Sequence, residues 1–170
     1  MNIISQYIDL CLFKASPAEL PASDSLLKLT LLVYFLTGVA LSYIDNSWTI
    51  SIFTSLADML FMMIAVALLL KFRGFQTRYQ QSLSALAGTG VCIGIVGTPI
   101  MIWFNRINEA EQATSLAMIF VLALMFWSLM VTAHIFRQTL EIKPSSASIL
   151  TVAYTLMSIL ISGLTMSGVT

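Results

Sequence analysis

Five runs of about twenty apolar residues, each long enough to cross a hydrocarbon core near 30 Å as a helix, constrain this chain more than any other feature. They cover roughly residues 26–44, 48–71, 83–104, 115–136 and 147–167. Lys28 falls near the start of the first run and glycines crowd the third. The connecting segments are too short to fold separately. With 58% apolar residues, 9% charged residues and a mean hydropathy of +0.92, the chain lies far outside soluble averages. These features predict an all-α fold, an integral membrane bundle of five transmembrane helices forming a single membrane domain over residues 1–170.

The placement of charge orients such a bundle. Threading the spans alternately puts Lys14, Lys28, Lys71, Arg73, Arg78, Arg137 and Lys143 on one side and leaves Arg106 opposite. The positive-inside rule then makes the N-terminus and the loops near 73–82 and 137–146 cytoplasmic. The 45–47 and 105–114 loops and the C-terminus face out. Tyr43, Trp48, Trp103 and Phe104 fall at the outer interface, and Phe72, Phe75 and Tyr79 at the inner one. Acidic and basic residues balance at a net charge of zero, which gives no support for a nucleic-acid partner.

Residues 1–13 are too short to span. On a helical wheel Asn2, Ser5, Gln6 and Asp9 share one arc, and Ile4, Tyr7, Ile8, Cys11 and Leu12 take the other. The reading is a short amphipathic interfacial helix, lying on the cytoplasmic leaflet or packed against the ends of the spans. It lacks the basic region and cleavage site of a signal peptide and is expected to stay attached. In "SPAEL", Ser16, Pro17 and Glu19 predict a capping box, and Pro21 ends that turn. Ser23 or Asp24 is placed to cap the first span.

In lipid, helices associate through small residues that allow close approach and through interhelical hydrogen bonds. In "ALAGTGVCIGIVGTP", Ala87, Gly90, Gly94, Gly97 and Thr98 fall within roughly 100° of one another on a helix, a face expected to pack closely or to line a substrate path. Pro99 removes a backbone donor and is expected to bend the outer end of this span. The last span carries Ser148, Thr151, Tyr154, Thr155, Ser158, Ser162 and Thr165 in a wedge roughly 120° wide. Such a stripe is interhelical glue, backbone-bonded hydroxyls or one wall of a polar cavity.

Asp58 is the residue that this composition least accommodates. Ser47, Ser51, Thr54, Ser55 and Asp58 lie within about 80° on the second span, and Met62, Ala65 and Leu69 continue the same face inward. The polarity therefore runs from the outer surface to mid-membrane and stops. A carboxylate at that depth costs at least about 2.5 kcal/mol on insertion scales, so it should face protein or water and have a partner. His134 and Lys28 lie too near the inner surface. Tyr34, Thr37, Ser158 and Ser162 are at better depths, which favours a neutral Asp58 held by hydroxyls.

No catalytic set is signalled. The single histidine and the two cysteines, Cys11 and Cys92, offer neither a metal site nor a pair of haem ligands, so no cofactor or metal is expected. A Ser–His–Asp arrangement would need Asp58 and His134 at one depth. The expected partners are the lipid bilayer and other membrane proteins, or further copies of the chain.

The segments "AELPAS", "LLKLTLLVYFLTGVAL" and "FWSLMVTAHIFRQTLE" resemble uncharacterised inner-membrane proteins of proteobacteria. The five-span organisation with a cytoplasmic N-terminus resembles the Yip family, whose eukaryotic members act in vesicle trafficking. The Asp-Leu-Tyr-Gly-Pro type signature of those members is missing here, so no functional residue carries over. The resemblance implies a multi-pass protein of the bacterial inner membrane. Two functions fit these observations. The first is a non-enzymatic assembly factor, scaffold or accessory subunit, and the second is an oligomeric transport or sensing bundle using Asp58 for a proton or small solute.

Overall fold

The computed structural model describes residues 2–106 and 111–168. Its helices are α1 (Ile3–Cys11), α2 (Asp24–Ser42), α3 (Trp48–Arg73), α4 (Tyr79–Arg106), α5 (Glu111–Leu140) and α6 (Pro144–Gly168), with single 3-10 turns at Pro17–Glu19 and Gln76–Arg78. Five of them, α2 to α6, are long and apolar enough to cross a membrane. They extend past the apolar runs because polar ends such as "YQQS" in α4 and "RQTL" in α5 continue the helix. Helix α4 runs on through Pro99, one residue beyond Thr98, whose hydroxyl donates to the Gly94 carbonyl at 2.8 Å.

The five long helices close a ring. α2 packs on α3 and α4, α3 on α6, α6 on α5, and α5 on α4. One end of this ring carries Lys71 and Arg73 at the end of α3, Arg78 before α4 and Arg137 at the end of α5, and is called the basic end below. The half nearest that end is filled by apolar side chains that are at most 7% exposed, among them Met62, Val66, Leu70, Leu86, Val131 and Ile135. The outer surface of the ring is apolar too, with Phe53, Ile64, Phe126, Ile149 and Leu164 all exposed, as helices that meet lipid require.

Chain reversals at the basic end share one device. Gly74 (φ 74°) and Glu141 (φ 51°) follow α3 and α5 in the left-handed region, and the next amide bonds back across the turn, Phe75 N to Leu70 O at 2.9 Å and Ile142 N to Arg137 O at 3.4 Å. The Arg73 guanidinium donates to the Leu140 carbonyl at 3.1 and 3.3 Å, so the open end of α5 is capped by the end of α3. A Cβ built on Gly74 meets nothing within 4 Å, so substitution there changes backbone strain alone. Gly74→Ala should lower stability by about 1 kcal/mol. Equilibrium unfolding of the solubilised protein checks this, and an unchanged midpoint would mean that the turn relaxes.

The N-terminal helix packs on α4 and α5. Its buried residues are Tyr7, Leu10 and Cys11, while Ile4, Ile8 and Leu12 face outward. The apolar arc of the sequence is thus divided between protein and surroundings. Phe13 (φ 61°) ends the helix with the same left-handed turn, and Lys14 N bonds to Asp9 O at 2.8 Å. The Cys11 carbonyl accepts from Trp127 Nε1 at 3.1 Å, and the Ala15 carbonyl from His134 Nε2 at 3.1 Å. The chain then emerges at the 3-10 turn, where Ser16 and Glu19 form the capping box and Gln81 donates to the carbonyls of Ala18 and Leu20 at 3.1 and 2.8 Å.

Measured along α5, from Leu140 to Trp127, the tip of α1 lies roughly 20 Å into the bundle at 1.5 Å per residue. A helix resting flat against the span ends would not reach that level. Its terminal carbonyls, which lipid could not satisfy, are all bonded within the protein. This insertion also explains the composition of α4 from Ser82 to Thr89, a stretch buried throughout. With α1 covering one side and the ring the others, "SLSALAGT" must be small enough to be packed on all faces. A Cβ on Gly88 would lie 2.2 Å from Tyr7 Cε1. The Tyr7 hydroxyl, brought in over that glycine, bonds to Thr30 Oγ1 at 2.9 Å and Ser84 Oγ at 2.8 Å.

Candidate functional site around Asp58

Asp58 lies roughly 15 Å along α3 from Trp48, near the middle of a 30 Å hydrocarbon layer. Tyr34 of α2 donates its hydroxyl to Asp58 Oδ2 at 2.5 Å, and Ser158 of α6 donates to Asp58 Oδ1 at 2.5 Å. Both bonds fall in the range of charge-assisted O–H···O contacts. The carboxyl group therefore joins three neighbouring helices of the ring through hydroxyls. His134 is engaged with Ala15, as above, and Lys28 is exposed.

Tyr34 reaches Asp58 because of a glycine on the helix behind it. A Cβ on Gly90 would come within 2.6 Å of Tyr34 Cε2, so the ring rests directly against the α4 backbone. Gly94 is approached in the same way by Thr37 and Leu41, and Gly97 by Leu124 of α5. The glycine face of α4 is thereby occupied by α2 and α5 of the same chain.

Above Asp58, on the side away from the basic end, the ring encloses a cavity of about 560 Å3. Its polar lining comes from Tyr34, Thr37, Ser42, Thr54, Ser55, Asp58, Ser128 and Ser162, with Asp45 and Asn46 at the α2–α3 connection. Leu41, Ile93, Met101, Leu124 and Met166 supply apolar wall, and Gly90, Gly94 and Gly97 open the α4 side. Asp45 is exposed and accepts a hydrogen bond from Asn105, so the cavity reaches the end of the ring there. Toward the basic end it is stopped by the packed half of the ring. Tyr154 lies there between Phe61, stacked at 5.2 Å, and Phe136, edge-on at 5.5 Å.

The residues singled out in the sequence divide into two groups. Asp58, Tyr34, Thr37, Thr54, Ser55 and Ser162 line the cavity, and Ser158 bonds to Asp58 from α6. Ser51 lies on the same helical arc but is fully buried and donates to its own Ser47 carbonyl at 2.9 Å. Thr37 likewise donates to Val33 O, yet it still contributes to the wall. Thr165 approaches Thr54 at 3.4 Å and bridges α6 to α3. Four polar lining residues were not singled out in the sequence: Ser42, Asp45, Asn46 and Ser128. None belongs to a periodic polar stripe. Ser42 Oγ is buried without a hydrogen-bond partner among the described residues.

Cys11 and Cys92 are free thiols in the α1–α4 contact. The Cys11 thiol is directed at the Thr89 carbonyl of α4, at 4.0 Å.

No known protein family, curated protein or solved structure matches the chain.

Proposed function

We propose that this chain is a small non-enzymatic protein of the bacterial inner membrane in which Asp58 takes up a proton or a small solute from the periplasmic side. The observation that carries this reading is the dead-ended cavity, mostly apolar in its walls, which runs from one end of the ring to a mid-depth carboxyl group held by hydroxyls and stops against a packed apolar half. An intramembrane acid that faces a cavity is a functional site by default, because its desolvation is otherwise a standing cost. The excess of basic residues at the opposite end supports a cytoplasmic N-terminus and a periplasmic C-terminus. The five-span organisation is also what supports a Yip-like relationship.

An assembly factor, scaffold or accessory subunit remains the competing reading, but its motivating features are used inside the chain. The α4 glycines pack on Tyr34, Thr37 and Leu124, and the N-terminal helix is inserted between its own spans. Because one chain closes the ring by itself, a cavity does not require oligomerisation.

Infrared difference spectroscopy of the protein reconstituted in nanodiscs tests the proposal. The wild-type protein should show a carboxyl proton signal that responds to the pH of the medium, and Asp58→Asn should abolish that signal while inserting normally. Stoichiometric co-purification of another membrane protein in mild detergent, together with an indifferent Asp58→Asn, would favour the accessory reading. A Gly168→Cys variant should react with an impermeant thiol reagent added from the periplasmic side, and reaction from the cytoplasmic side alone would reverse the topology.

A further inference from the structure

The cavity has a charge character beyond the presence of one acid. Asp58 forms its floor and Asp45 lies at its mouth, and no lysine, arginine or histidine is among the lining side chains described. Such a path repels anions and concentrates cations.

The floor also has spare acceptors. Each carboxyl oxygen of Asp58 receives one hydroxyl hydrogen bond, from Tyr34 or Ser158, and keeps a second acceptor direction. The volume of about 560 Å3 fits a small organic molecule and far exceeds a bare metal ion. Leu41, Ile93, Met101, Leu124 and Met166 offer that molecule an apolar contact surface.

We infer that the cavity binds a small organic monocation of the alkylammonium class, its charged group on Asp58 in place of a proton and its alkyl body against the apolar wall. This rests on the proposed role of Asp58 and specifies its solute. Proton and cation then compete for one carboxylate, so binding weakens as pH falls. The other titratable groups near Asp58 are Tyr34 from α2 and Tyr154 from α6, with Asp45 at the mouth. The described lining residues from α4 and α5 are all non-titratable.

Calorimetry on the full-length protein in nanodiscs, with n-butylammonium, n-pentanol and butyrate as probes, tests the inference. Butylammonium should bind saturably and more weakly at lower pH, as competition with a proton requires. Pentanol and butyrate should bind at least about tenfold more weakly, as should butylammonium to Asp58→Asn. Ser128→Leu fills the α5 wall without touching the Asp58 hydrogen bonds and should weaken binding similarly, which guards against misfolding of the Asp58 variant. Equal binding of the neutral or anionic probe, undiminished binding in both variants, or no binding of butylammonium overturns the inference. If butylammonium fails to bind while the Asp58-dependent proton signal persists, the solute class is wrong and the proposed function stands; loss of both overturns both.

Discussion

Leucine in place of Gly88 should expel the N-terminal helix from the bundle. The site has no room even for a methyl group, since a Cβ there would lie 2.2, 2.4 and 2.6 Å from three atoms of the Tyr7 ring. Tyr7 cannot retreat without releasing its hydrogen bonds to Thr30 and Ser84. Overpacking of this kind costs about 1–3 kcal/mol, and each abandoned hydrogen bond adds about 1 kcal/mol. The helix is short and its outer face is already exposed, so undocking is the least expensive response. Cys11 reports it directly. At 3% exposure the thiol should resist a membrane-permeant maleimide in the wild type and react in Gly88→Leu, as mapped by peptide mass spectrometry. Continued protection of Cys11 would mean that this contact does not hold α1 in place.

The second large effect is expected at Asp58. Asp58→Leu strands the hydroxyls of Tyr34 and Ser158, each of which donates to a carboxyl oxygen at 2.5 Å. A buried donor without an acceptor costs about 1–3 kcal/mol, so two of them should cost the variant roughly 2–6 kcal/mol in total. Asp58→Asn keeps an acceptor oxygen and should lose about half as much. The physical origin is tested by the triple variant Tyr34→Phe, Ser158→Ala, Asp58→Leu. Removing all partners together leaves nothing unsatisfied, so it should be more stable than Asp58→Leu alone. Equilibrium unfolding in mixed micelles measures this, and simple additivity of the three losses would contradict the network.

The spans were legible in the sequence because length and hydropathy alone decide whether a helix can cross a bilayer. The polar arcs of α3 and α6 were legible because a 3.6-residue period aligns Thr54 with Asp58 and Ser158 with Ser162. Periodicity does not tell where a hydroxyl points. Ser51 shares the arc of Asp58, yet its side chain turns back to its own helix, as serine in an apolar setting often does. The N-terminal helix shows the same limit for apolar residues. Hydropathy scores Tyr7 and Ile8 alike as apolar, but lipid and protein interior are equally apolar neighbours. Only packing separates the buried Tyr7, Leu10 and Cys11 from the outward Ile4, Ile8 and Leu12. Ring order was also out of reach, because it depends on fits such as Tyr34 over Gly90. The mouth residues Asp45 and Asn46 sit in a connection, where no period exists to flag them.

The ring is half open, with Asp58 at the boundary between a half that holds a cavity and a packed half. Single cysteines at Thr54, Ser162 and Val66, placed in a chain whose Cys11 and Cys92 are alanine, test it directly. Thr54→Cys and Ser162→Cys should react with an impermeant, positively charged thiol reagent added to the side opposite the basic end, and Val66→Cys should react from neither side. Protection of both cavity cysteines, or reaction of Val66→Cys from the basic end, would contradict the half-open ring.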